Sequence, residues 1–240
     1  MLNDESMNPF LRKAKESVCL IDYNGSSGTG FFLNIPDKEG NDHWTFLITN
    51  CHVYPQNSIL TEKFLDITIN GNSKRIYLEG KEKWTDLNMD YTCIETKKED
   101  NIKTVFSLDD NISKSDCSNK DYSNKSVTLY ALNKNDYNKV NYSYGHIKES
   151  KDLDLIHTCN TFHGCSGGCI AIKSNNRVIG IHRGADIEDN ENNYGIFIKD
   201  VFKDIKNKVK KDIKDVNHYY FYYFIIDSKS FLLLLFYYCG

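Results

Sequence analysis

Apolar and β-branched residues in this chain come in short runs of four to six, separated by polar and turn-forming stretches. That grain decides the fold class. Runs stand at 17–21, 31–35, 44–49, 64–69, 75–78, 91–95, 127–132, 142–147, 169–172 and 178–181. Runs of this length, separated by turn residues, suit strands and are too short for core helices. The stretch Asn24-Gly25-Ser26-Ser27-Gly28-Thr29-Gly30 reads as a turn, and 37–42 as a loop. Many short strands at such spacing predict an all-β barrel or sandwich.

Helical periodicity is clear in one place. Over 199–216, Val201, Phe202, Ile205, Val209, Ile213 and Val216 recur at three- and four-residue steps among lysines and aspartates. This spacing predicts an amphipathic helix. Residues 8–16 read as a short exposed helix within an N-terminal arm, 1–16. The Ser/Asn/Asp/Lys-rich stretch at about 105–125 reads as a connection between two β halves of a domain spanning 17–216.

The remaining 217–240 form a hydrophobic, aromatic tail. Residues 219–238 are long enough to span a bilayer. Asp227 and Lys229 near their middle make that insertion costly. The tail therefore reads as packed on the domain or as translated noncoding sequence, and a tail anchor is the one route to a membrane.

With a net charge of -3, the 240-residue chain lacks the basic excess of a nucleic-acid binder. Residues 1–15 are polar and charged, with no apolar signal-peptide core, which predicts a cytoplasmic setting. In that reducing environment the eight cysteines are expected to be free thiols. None has partners at zinc-ligand spacing, so no metal and no cofactor is expected.

Three local patterns carry chemistry, and they occur in a telling order. Phe46-Leu47-Ile48-Thr49-Asn50-Cys51-His52 is a buried strand delivering a histidine, just after Gly-Thr-Gly-Phe-Phe-Leu. Asp90 heads the apolar run Tyr91-Thr92-Cys93-Ile94, with Asp86 a nearby competitor. Gly164-Cys165-Ser166-Gly167-Gly168 sets a serine in a glycine loop. Glycines allow the backbone to turn tightly and approach closely, so that a hydroxyl and main-chain N–H groups share one small volume.

Together these motifs resemble the trypsin-like (chymotrypsin-fold) serine peptidases over about residues 17–208. The resemblance implies two six-stranded antiparallel β-barrels with a C-terminal helix. It implies that Ser166 is the nucleophile, His52 the general base and Asp90 the group orienting that base. It also implies an oxyanion hole from the Gly164 and Ser166 N–H groups, each worth roughly 3 kcal/mol to a transition state. Protein or peptide substrates follow. A catalytically weak chain of this fold would instead act as a binding or regulatory module.

Further along, Gly180-Ile181-His182-Arg183-Gly184 resembles the pocket strand of the glutamyl endopeptidases, and Thr161 stands five residues before Ser166. By that resemblance His182 and Thr161 bind an acidic P1 side chain, and Arg183 adds positive charge. The chain departs from the wider family at Cys165, where zymogen-activated members carry an Asp, so activation through a freed N-terminus is not expected. Cys169 stands where the family has a proline. Cysteine nucleophiles of this fold directly precede Gly-Gly, whereas here Ser166 holds that position.

Overall fold

The computed structural model describes residues 8–36, 43–151, 153–185 and 192–209. Helix α1 (Pro9–Ser17) starts at Asn8, whose side chain accepts the Phe10 N–H at 3.0 Å. Its Ala14 and Ser17 are buried, so α1 is docked along one face rather than exposed throughout. Strand β1 (Val18–Tyr23) then turns into β2 (Ser26–Pro36). The turn is Asn24-Gly25 alone, with φ of 51° and 82°. A two-residue turn with both φ positive matches the twist of its strands. The rest of the glycine-rich stretch is strand, because Ser27, Gly28, Thr29 and Gly30 pair with Asp22, Ile21, Leu20 and Cys19.

Next come β3 (His43–Thr49), α2 (Gln56–Thr61), β4 (Phe64–Ile69), β5 (Asn72–Tyr77), β6 (Lys83–Asp86), β7 (Tyr91–Thr96) and β8 (Phe106–Ser107). Among the described residues they form an eight-stranded sheet, ordered β5-β4-β1-β2-β3-β7-β6, with β8 added parallel to β2. Cys19, Ile21, Phe32, Leu47, Ile67 and Ile94 fill its core with Tyr54 and Ile59 from the β3–β4 connection. This half is an open curled sheet, where the resemblance implies a closed six-stranded barrel.

The second half closes. Strands β9 (Ser126–Asn133), β10 (Asp136–Lys151), β11 (Asp154–His157), β12 (Cys169–Ile172), β13 (Val178–Ala185) and β14 (Asn193–Phe197) make a barrel in the order β10-β11-β14-β13-β12-β9. The architecture is that of the chymotrypsin-like fold. Strands β6, β11 and β14 are not evident as apolar runs. Each is four or five residues long and interrupted by Lys, Asp, Asn or Gly. Pairing with β7, β10 and β13 creates them.

The connection between the halves has its own structure. Asp109 N–H donates to the Val178 carbonyl at 3.0 Å. Tyr122, in a short 3-10 turn, donates its hydroxyl to Asp109 Oδ1 at 2.7 Å. Lys199 Nζ caps the carbonyls of Lys114, Ser115 and Cys117.

Two compact units divide the chain, residues 1–201 and 202–240. The first carries both β halves. The described part of the second, 202–209, is helical. The rest of the expected 199–216 helix and the 217–240 tail lie outside the described residues. No helix among the described residues is long and apolar enough to cross a membrane.

A buried ion pair fastens the first sheet. Lys81 Nζ lies 2.5 Å from Asp100 Oδ2, with side chains 2% and 3% exposed. Asp100 also accepts the Lys97 N–H at 2.7 Å. Removing one partner of such a pair strands a desolvated charge, which costs roughly 3–5 kcal/mol. Lys81→Met should lower the urea-unfolding free energy by about that amount. Lys81→Met with Asp100→Asn should recover part of the loss. A single variant as stable as the parent would refute the pair's role.

Candidate active site

Two turns of the first sheet bring His52 and Asp90 together. After β3 the chain turns back on itself, with Val53 and Tyr54 N–H groups donating to the Asn50 carbonyl at 3.2 and 3.1 Å. Asp90 precedes β7 with φ of 49°, a left-handed conformation that Asp adopts more readily than most residues. Asn50 Nδ2 donates to the Asp90 carbonyl at 2.9 Å and holds that twist. The Asp90 carboxylate then meets His52 twice. Oδ2 lies 2.8 Å from the ring Nδ1, and Oδ1 accepts the His52 backbone N–H at 3.2 Å.

Burial pushes the Asp90 carboxyl up, but the His52 bonds and charge, with a smaller influence of the Cys51 thiol, outweigh it. Its pKa ends below the usual carboxylate range. Asp86, the competitor, is occupied elsewhere: its Oδ1 accepts the Asn88 and Met89 N–H groups at 2.9 and 2.8 Å and caps the turn before β7.

Ser166 comes from the loop between β11 and β12. Gly164 and Gly167 have φ of 104° and 83°, which a side chain would strain. A Cβ on Gly167 would also sit 1.9 Å from the Thr29 carbonyl oxygen. Inside the loop, Cys165 N–H donates to the Phe162 carbonyl at 3.1 Å, and Phe162 N–H to Cys165 Sγ at 3.3 Å. Ser166 and His52 line one cleft, with Thr161, His163, Gly164 and His182 around them. The Ser166 hydroxyl donates to the Arg183 carbonyl at 3.1 Å. His52 and Asp90 are thus hydrogen-bonded, while Ser166 faces the same cleft with its proton turned toward β13.

His182 is buried in the cleft wall against His157, their Nδ1 and Nε2 atoms 3.1 Å apart. Their protons can be assigned from neighbours. Cys159 N–H donates to His157 Nδ1 at 3.3 Å, so neutral His157 carries its proton on Nε2 and donates it to His182 Nδ1. His182 then carries its proton on Nε2. Burial lowers His157 to about 4. Burial, then the neighbouring His157 and His52, lower His182 to about 3, against a smaller opposing effect of the Tyr194 main chain. Both rings are neutral at pH 7.

The other pocket residues behave differently from expectation. Arg183 does not offer its charge to the cleft, because its guanidinium pairs with Asp154 at 3.1 Å. Thr161 donates its hydroxyl proton to Asn193 Oδ1 at 2.7 Å, and Asn193 Nδ2 donates to the Cys159 carbonyl at 3.0 Å. Thr161 lines the cleft with its proton already engaged. The residues that sequence reasoning missed are Thr29, Cys51, His157 and Asn193. Their partners are fixed by strand register and loop closure, so no local motif marks them. The seven described cysteines are free, and Cys239 lies outside the described residues.

No protein-family model matches the chain, and no curated protein sequence does. Solved structures do. The Rv3671c protease of M. tuberculosis in its inactive form is 15% identical, with 81% of this chain and 89% of that chain covered at a TM-score of 0.56. The serine protease domain of the Sesbania mosaic virus polyprotein is 20% identical over 78% and 91%, with a TM-score of 0.55. A serine endoprotease of Yersinia pestis is 13% identical over 85% and 68%, with a TM-score of 0.58. What this chain shares with them is the fold.

The buried histidine pair makes stability pH-dependent, and the sign follows from linkage. The unfolded chain takes up these protons near pH 6.5, while the folded chain resists them down to about 4 and about 3. Between these limits the unfolded state binds more protons, so stability falls as pH drops below about 6.5. Urea midpoints measured at pH 7.5 and 5 should show this loss, and His157→Gln with His182→Gln should reduce it. An equal loss in parent and variant would remove the pair as its cause.

Proposed function

We propose that this protein is a serine endopeptidase acting on proteins or peptides through an acyl-enzyme on Ser166. The observation that carries the reading is the 2.8 Å contact of His52 Nδ1 with Asp90 Oδ2, on the same cleft that Ser166 lines. Asp90 keeps the His52 proton on Nδ1, which leaves Nε2 free as a base. The Ser166 hydroxyl turns from the Arg183 carbonyl toward His52, a step between staggered rotamers. Catalytic hydrogen bonds that are absent without substrate commonly form in the substrate complex.

His52 takes the Ser166 proton as Oγ attacks the scissile carbonyl carbon. The Gly164 and Ser166 N–H groups receive the oxyanion, and Asp90 stabilises the imidazolium. His52 returns the proton to the leaving amine. Water then repeats the sequence on the acyl-enzyme and regenerates Ser166. Cys165 is buried and its thiol is pushed up to about 11 by that burial, so it stays protonated and off the cleft.

For specificity we carry forward an acidic P1 preference, with His182 as its centre. His182 stands on the pocket wall as a neutral ring, and an entering carboxylate would favour its protonation. Thr161 lines the same pocket and fixes its shape through Asn193. With its guanidinium paired to Asp154, Arg183 directs no unpaired positive charge into the pocket. The orientation of the Ser166 hydroxyl toward Arg183 favours one rival, a catalytically weak binding module.

A fluorophosphonate probe separates the two. It should label the parent protein and leave Ser166→Ala untouched; absence of label on folded parent protein would eliminate the peptidase. Asp90→Asn should lower kcat by about 10⁴-fold, as loss of this carboxylate does in the triad that serves as template. In a peptide library, Glu or Asp at P1 should be preferred, and His182→Leu should reduce that preference roughly 10- to 100-fold. Cleavage indifferent to P1 would refute the specificity while leaving the mechanism intact.

A further inference from the structure

We infer that Thr29 is the positioning residue that aims the oxyanion-binding N–H of Ser166; the inference rests on the peptidase reading of the site. Thr29 stands in β2, where β3 has already diverged: the last β2–β3 pair is Phe31 with Ile48. The outer edge of β2 at Thr29 is therefore open, and the nucleophile loop occupies it. Thr29 is 0% exposed, and each of its polar groups has a partner. Its N–H donates to the Ser166 carbonyl at 2.8 Å. Its hydroxyl donates to the Gly164 carbonyl at 2.8 Å and accepts the Leu132 N–H at 3.1 Å. Its carbonyl accepts the Thr49 hydroxyl at 2.7 Å.

Consider the successive peptide planes of the loop. The Gly164–Cys165 plane is held at its carbonyl by the Thr29 hydroxyl and at its N–H by the Phe162 carbonyl. The Ser166–Gly167 plane is held at its carbonyl by the Thr29 N–H and at its N–H by the His182 carbonyl. Between them lies the Cys165–Ser166 plane, whose carbonyl accepts the Gly168 N–H at 2.8 Å. In a trans peptide the N–H points opposite to the carbonyl. With both flanking planes pinned and its own carbonyl tied inward, the direction of the Ser166 N–H is set. Thr29 supplies the pin on each side.

Threonine meets these demands where near neighbours do not. Valine has the same shape but would leave the Gly164 carbonyl and the Leu132 N–H without their partner. Serine keeps the hydroxyl, and loses the branched Cβ that stiffens χ1.

The test uses the full chain, a fluorogenic peptide and a peptide boronate, whose tetrahedral adduct fills the oxyanion site. Thr29→Val should lower kcat roughly 100-fold with KM unchanged, the loss expected when a reacting group is misplaced by about 1 Å. Boronate affinity should fall by the same factor, affinity for the product peptide should stay constant, and Thr29→Ser should restore most activity. A purely structural threonine would lower the melting temperature and leave kcat and boronate affinity of the folded fraction unmoved. That result overturns the inference, as does a Thr29→Ser variant as impaired as Thr29→Val. If Thr29→Val does not fold, Thr29→Cys carries the comparison: its weaker hydrogen bonds should lower kcat and boronate affinity together, and parental values of both overturn the inference. Failure of the fluorophosphonate to label the parent protein strikes the peptidase reading itself, and this inference falls with it. Normal labelling of the parent with an unimpaired Thr29→Val strikes the inference alone.

Discussion

The loop carrying Ser166 is stitched to β2, and the candidate site depends on that seam. His52 and Asp90 belong to the open sheet, whereas Ser166 and His182 belong to the closed barrel or its loops. A hydroxyl and an imidazole from different substructures can share a cleft only if their backbones are tied directly. The bond from Thr29 N–H to the Ser166 carbonyl, at 2.8 Å, is such a tie. It also dictates composition around it. Gly28 has space for no side chain, because a Cβ there would lie 2.5 Å from Val53 and 3.1 Å from the Ser166 carbonyl. Gly167 is required for the same reason from the opposite side. Gly28 and Gly167 are thus two faces of one backbone-to-backbone contact.

Electrostatically the site is spare. Asp90 meets His52 through two hydrogen bonds, from the ring and from the main chain, and the Cys51 thiol further lowers its pKa. The thiol itself is pushed up to about 11 by burial and the Asp90 charge, so it remains a donor. On the other wall the histidine pair is neutral and Arg183 is paired with Asp154. Neutral polar donors aimed into a cleft cost little to desolvate, whereas an unpaired buried cation would cost several kcal/mol.

Legibility of this chain divides along one line: whether the information is local. The motifs holding His52, Asp90 and Ser166 and the glycine loop are local, and the sequence shows them directly. Asp90 could be preferred over Asp86 by position, but its left-handed backbone and the Asn50 bond emerge from the folded turn. Thr29 sat in a stretch that reads as a turn. Its role depends on Gly164, 135 residues away, and Leu132, 103 away. No periodicity encodes such a contact. Strands β11 and β14 were illegible for a related reason. Asp154 to His157 and Asn193 to Phe197 gain their extended form from pairing with β10 and β13 and with each other. Missing them hid His157 and Asn193, the partners that set the state of His182 and Thr161.

The substitutions at Cys165 and Cys169 fit this account. Where zymogen-type chains place a carboxylate that needs a cationic terminus, Cys165 offers sulfur, which accepts the Phe162 N–H at 3.3 Å within its own loop. A neutral acceptor three residues along the same loop helps to close it. Cys169, fully buried opposite Tyr130 and Ile181, keeps a backbone N–H where a proline would have none. Strand β12 can then pair on both sides from its first residue. Both cysteines shift the work of shaping the loop from charge and ring constraint to hydrogen bonding, and Thr29 completes that network from β2.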